Sequence, residues 1–108
     1  MITYEDFSKL DIRMGTVLSA EKAEGTDKLL KIIFDLGTEE RQILTAMAEH
    51  FADPSIMIGK QMPVLVNIAP REIRGLTSHG MIIAAETDEG EPILLQPEKS
   101  VPNGSKVM

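Results

Sequence analysis

Arg71 and Arg74 stand in a stretch rich in hydrogen-bond donors and poor in acid, Asn67–Ala85, NIAPREIRGLTSHGMIIAA. Asn67, Ser78 and His79 add donors, and Glu72 is the one acid. Guanidinium groups and neutral donors presented from a glycine-hinged loop suit an anion, phosphate best of all. The competing account is an ordinary solvated hairpin loop, because charged loops are common.

Two apolar runs flank this loop. Met62, Val64 and Val66 alternate with Leu65 before it, and Met81–Ala85 follows it. Both read as strands. Pro70 has no N–H to donate, so regular pairing stops there. Gly75 and Gly80 permit tight or left-handed turns.

The chain has 108 residues, enough for one domain, 1–108, with its own core. It has no cysteine, so disulfides and thiolate metal sites are excluded, and a reducing compartment is compatible. No apolar run approaches the ~18 residues of a membrane span. The start, MITYEDFSKLD, has acids where a signal peptide needs a basic end and an apolar core. A soluble chain is expected. The net charge of −6 argues against general nucleic-acid binding. Its distribution matters more. Pro54–Ala85 holds Lys60, Arg71 and Arg74 against Glu72 alone, whereas Glu86–Glu91 holds four acids and no cation. An acidic body with one mildly basic face would meet a phosphate surface weakly and in one orientation.

From the N-terminus, Thr3 is an N-cap for one or two helical turns over Tyr4–Leu10, with Glu5 and Asp6 in the first turn. Phe7 and Leu10 are expected to pack that helix down. Asp11–Ala20 reads as a strand whose buried face includes Ile12, Met14, Leu18 and Ala20, with a bend or bulge at Gly15. A turn at Glu24-Gly25-Thr26-Asp27 precedes a strand over Leu29–Leu36, with Leu30, Ile32, Phe34 and Leu36 on one face. Gly37-Thr38-Glu39-Glu40 is a hairpin turn, and Arg41–Met47 a third strand. Asp53-Pro54-Ser55 starts a short helix that Gly59 ends. Thr87-Asp88-Glu89-Gly90 is a turn, Ile93–Leu95 a short strand, and Gln96–Met108 a polar, partly docked tail.

Three strands, a short connecting helix and two more strands is the element order of an all-β OB-fold, a five-stranded Greek-key barrel. Other small β-barrels share that order.

The ordered pieces Asp6-Phe7, Lys9-Leu10-Asp11-Ile12-Arg13, Asp27-Lys28-Leu29-Leu30-Lys31, Asp35-Leu36-Gly37, Arg41-Gln42-Ile43, Ile58-Gly59-Lys60, Val66-Asn67-Ile68-Ala69-Pro70-Arg71, Arg74-Gly75, Ser78 and Gly80-Met81-Ile82 carry a resemblance. Over about Phe7–Val107 the chain resembles the tRNA-binding domain found in three settings. One is the C-terminal appendix or β subunit of methionyl-tRNA synthetase. The others are the free-standing bacterial structure-specific tRNA-binding protein and the eukaryotic cytokine-like synthetase cofactors. The ending Leu94-Leu95-Gln96-Pro97 and Val101-Pro102-Asn103-Gly104 also resembles a small bacterial secretion chaperone of the same fold. That chaperone usually lacks the Asp-Lys-Leu-Leu block. Thr45-Ala46-Met47 stands where many relatives have Ser-Gly-Ile, and His79 where Gln or Glu is common.

The resemblance implies non-catalytic, shape-selective tRNA binding in the cytoplasm by a homodimer, with the C-terminal extension used in dimerisation. It implies service to methionyl-tRNA synthetase in trans, or a piece cut from it, or a free-standing protein. The alternative it carries is a module that holds unfolded polypeptide. No cofactor, metal or membrane partner is implied. The residues agree. Sequence-specific reading of single strands needs exposed aromatics, and this chain has only Tyr4, Phe7, Phe34 and Phe51. Phe34 belongs to the core face. Phosphate and ribose contacts remain. Arg71 and Arg74 can fork onto phosphate, and Lys28 and Lys31 add charge from the neighbouring hairpin. Asn67 and Ser78 can donate to phosphate or 2′-hydroxyl groups, and the competing role for both is capping loop backbone. Met81 can lie against a base or sugar, and its competing place is the core. Ser78 and His79 are adjacent and point apart in an extended segment, so no catalytic triad is read here.

Overall fold

A computed structural model describes residues 1–108. Its centre is an antiparallel sheet of β1 (Ile12–Lys22), β2 (Leu30–Asp35), β3 (Glu40–Thr45), β4 (Gln61–Leu65) and, after two short strands, β7 (Met81–Ile82). The spatial order is β3-β2-β1-β4-β7. The two short strands, β5 (Arg71–Ile73) and β6 (Leu76–Ser78), form a hairpin of their own. The sheet curls until β3 lies against β6 and β7, which gives the expected Greek-key barrel of the OB type.

The barrel closes around the side chains whose alternation marks β2. Leu30, Ile32 and Phe34 are fully buried, joined by Val17, Ile43, Met57, Met62 and Val64. Each such side chain contributes about 1.5–3 kcal/mol by leaving water. The short helix between β3 and β4 is two 3-10 turns, Ala48–His50 and Pro54–Met57. Asp53 caps the second: its carboxylate accepts from the Ser55 N–H and hydroxyl, which hold it below the ordinary aspartate value. That turn delivers Met57 to the core.

Three expectations along the first strand and helix are corrected. The strand's pairing shifts between Val17 and Ser19, so the bulge is at Leu18 and not at Gly15. The extra residue turns Leu18 outward, 43% exposed, instead of into the core. Gly15 serves space: a Cβ there would stand 2.8 Å from Leu36 Cδ2. The N-terminal helix, α1 (Tyr4–Ser8), has the capping box of Thr3 and Asp6 but buries none of its residues, and Leu10 is exposed.

The extension after β7 has two parts. Strands β8 (Ala84–Glu86) and β9 (Pro92–Leu94) form a separate hairpin, with β9 paired only to β8. The end of the tail then returns to its own barrel. Gly104 N–H donates to Met14 C=O (2.7 Å), Met14 N–H to Ser105 C=O (2.8 Å) and Val107 N–H to Ile12 C=O (2.8 Å). This covers the edge of β1 that β2 leaves open, because β2 pairs only from Thr16 onward.

Candidate nucleic-acid interface

The stretch between β4 and β7 is not an open loop. Arg71 pairs with Ser78, Glu72 with Thr77 and Ile73 with Leu76, closed by a two-residue turn at Arg74-Gly75. Both turn residues have positive φ, 50° and 80°. That is the turn whose twist suits a tight hairpin, and it explains Gly75. Arg74 therefore sits at the exposed tip. The sequence signal was present: a residue-glycine pair between Ile73 and Leu76, followed by alternation. Gly80 is not a turn residue. A Cβ there would lie 3.0 Å from both Ile43 Cδ1 and Leu65 O, so its role is close packing.

Strand β3 holds this hairpin. His79 N–H donates to Gln42 C=O (2.9 Å), and Gln42 Nε2 to Thr77 C=O (3.0 Å). Arg41 Nη1 donates to the carbonyls of both Val66 and His79, while its Nε donates to Glu39. That hydrogen bond, together with the charge of Arg41, holds the Glu39 carboxyl below the ordinary glutamate value.

Two expected contact residues hydrogen-bond to backbone of the same chain, Ser78 buried and Asn67 at the surface. Ser78 is 3% exposed; its hydroxyl accepts from Leu44 N–H (3.0 Å) and donates to Gly80 C=O (3.1 Å). Asn67 clasps the N-terminal segment: its side-chain oxygen accepts from Asp11 N–H (2.9 Å), and Nδ2 donates to Lys9 C=O (2.7 Å). Both fill the backbone-capping role.

Successive strand pairings connect two of the cations. Glu21 on β1 pairs with Lys31 on β2, Lys31 with Leu44 on β3, and Leu44 is bonded to Ser78, which pairs with Arg71. Lys31 and Arg71 are thus linked through β3 and β6. Arg71, Arg74 and Lys28 are exposed and absent from the four ion pairs of the chain. Lys31 is different: its Nζ lies 3.0 Å from Glu21 Oε1, and it is 33% exposed. Met81 is 47% exposed, not core. With Leu44, Ile68, Ala69 and Arg71 it lines a notch of about 50 Å³. The arrangement places the exposed Arg71 beside a small apolar recess, with Arg74 at the turn of the same hairpin. His79 is exposed beside the buried Ser78, so the pair is split as expected.

Residues 12–106 match the pattern of the family described as "Putative tRNA binding domain". The chain is 43% identical over 106 residues to a methionine–tRNA ligase of Cytophaga hutchinsonii, and 49% identical over 106 residues to that of Archaeoglobus fulgidus. Each match covers 98% of this chain but only 15% and 16% of those ligases. A MetRS-related protein from Pyrococcus horikoshii superposes with a TM-score of 0.94 at 37% identity, covering 100% of this chain and 98% of that one. The chaperone CsaA of Bacillus anthracis superposes with a TM-score of 0.90 at 31% identity, covering 100% and 99%. With its barrel, its cation-bearing hairpin and nearly its whole length matched, the chain belongs to the tRNA-binding domain family.

Proposed function

We propose that this chain binds tRNA without catalysing a reaction, reads shape more than sequence, and works as a homodimer in the cytoplasm. It serves as the tRNA-capturing part of a methionine–tRNA ligase, in trans or as a piece of it. The observation that carries this reading is the hairpin itself: Arg71 and Arg74 are exposed, without an acidic partner, and mounted on a strand pair tied to the barrel. Arg71, Arg74, Lys28 and Lys31 take phosphate, and Met81 lies against sugar or base. The dimer rests on β9, whose outer edge is unpaired and whose neighbourhood exposes Ile93 and Leu95. An open apolar edge is protected most simply by a second copy about a two-fold axis.

A second reading is favoured by the likeness to the CsaA chaperone. There the same loops would hold unfolded polypeptide. Competition gel shifts separate the two. Different tRNAs should bind within about threefold of one another, and unstructured RNA of equal length at least about tenfold worse. Sedimentation of the same sample at micromolar concentration should give a dimer. Preference for one anticodon, or retention of unfolded peptide in place of tRNA, would defeat the RNA reading; a monomer that binds tRNA fully would defeat the dimer.

The Lys31–Glu21 pair adds a test with a gain of binding. Phosphate must compete with the Glu21 carboxylate for Lys31. Glu21→Gln should tighten tRNA binding about two- to threefold, within the range of an exposed ion pair. The log–log salt slope should steepen by up to about 0.7–0.9, one phosphate contact. Unchanged affinity and slope in fluorescence titrations would remove Lys31 from the interface.

A further inference from the structure

The geometry points to Arg41 as the positioning residue of the RNA-facing hairpin, acting through the two roots of the loop and not by touching RNA. This inference rests on the tRNA-binding reading. The two carbonyls that accept from Arg41 Nη1 are those of Val66 and His79. Val66 directly precedes Asn67, and His79 directly follows Ser78, so one guanidinium nitrogen ties together both ends of Asn67–Ser78. The opposite side of the guanidinium is fixed by the Glu39 carboxylate. Arg41 is 26% exposed, the least exposed of the four cations in ion pairs.

The need for such a clamp follows from the topology. Strand β5 pairs only with β6, so Arg71 has no support on its outer side. The hairpin's tilt relative to the barrel is set at its roots and along β6. Gln42 and Ser78 fix β6 to β3. Met81 of β7 pairs with Leu65 at the end of β4, and Arg41 adds the side-chain hydrogen bonds that join the two loop roots themselves, at Val66 and His79. A planar guanidinium with several fixed donors can satisfy a carboxylate and two carbonyls at once, which an ammonium on a flexible stem does not hold in one geometry. A hairpin ordered beforehand spares RNA binding the entropy of ordering it. Arg41 is itself poorly placed to meet phosphate, because Nε and Nη1 are engaged and Glu39 offsets its charge.

The test is tRNA affinity as a function of salt, with hydrogen exchange over Asn67–Gly80. Arg41→Gln should weaken binding about tenfold while leaving the log–log salt slope at the native value, since no phosphate contact is removed. Exchange in the hairpin should quicken while that of β1 and β2 does not. Arg41→Lys keeps the charge and the stem, and should lose nearly as much affinity at unchanged slope; it carries the test if Arg41→Gln does not fold. A slope reduced by about one contact in Arg41→Gln would overturn the inference by making Arg41 an RNA ligand. Native affinity in Arg41→Lys would overturn it by showing that charge alone suffices. These results differ from failure of the tRNA reading, which would appear as no retention of tRNA by the unsubstituted chain.

Discussion

Arg71→Ala combined with Arg74→Ala should weaken tRNA binding by about ten- to a hundredfold, or ~0.7–1.4 kcal/mol per arginine, the net range of a typical solvent-exposed hydrogen bond. The log–log salt slope should fall by about 1.4–1.8, the share of two phosphate contacts. The fold should be untouched. Both side chains are exposed, neither enters an ion pair, and the hairpin's pairing runs through the backbone. Arg74 has positive φ, and alanine tolerates that region no better than arginine, so the backbone cost is nearly the same before and after. The measurement is a titration at several salt concentrations, with thermal unfolding as a control. A double variant that melts normally and binds tRNA with native affinity and slope would remove this hairpin from the interface.

Deleting Asn103–Met108 should destabilise the chain by about 3–6 kcal/mol, a large part of the ~5–15 kcal/mol available to a domain. The six residues hold three backbone bonds to Ile12 and Met14. They also accept from Arg13 at Gly104 C=O (3.2 Å), and from Thr16 (2.6 Å) and Gln61 (3.0 Å) at the Asn103 side chain. Their loss uncovers a β1 edge next to the core and favours aggregation. The fit is close. Gly104 has φ 88°, and a Cβ there would stand 2.6 Å from Leu36 O; a Cβ at Gly37 would stand 2.5 Å from Asn103 O. Gly104→Val should therefore act in the same direction, by about 1–3 kcal/mol. Urea unfolding decides: an unchanged midpoint in both variants would mean that the tail contributes nothing to the barrel. Asn103–Met108 thus covers an edge of its own barrel. The proposed role in dimerisation falls to β8 and β9.

Alternation along Leu30–Leu36, the turn residues at Gly37 and Gly75, and the Asp53-Pro54 helix start are local properties. A period of two, a residue that accepts positive φ and a side chain that caps its own turn each need only neighbours in sequence. Those features, the barrel they imply and the arginines in a basic stretch were legible without coordinates. The features that were not legible depend on distant partners. Leu18 lies outside the core because pairing with β2 inserts one residue beyond Val17, and nothing in the strand's own sequence specifies that shift. Ser78 looks like a donor to solvent until β3 brings Leu44 N–H to its hydroxyl. Asn67 looks free until Lys9 and Asp11 arrive from the N-terminus. Lys31 reads as an available cation until the β1–β2 register sets Glu21 opposite it. Arg41 has no site role in sequence, because the carbonyls it joins, at Val66 and His79, become neighbours only when the sheet curls. Residue type sets what a side chain can donate or accept; the closure of the barrel decides whether that capacity is spent within the chain or left for a partner.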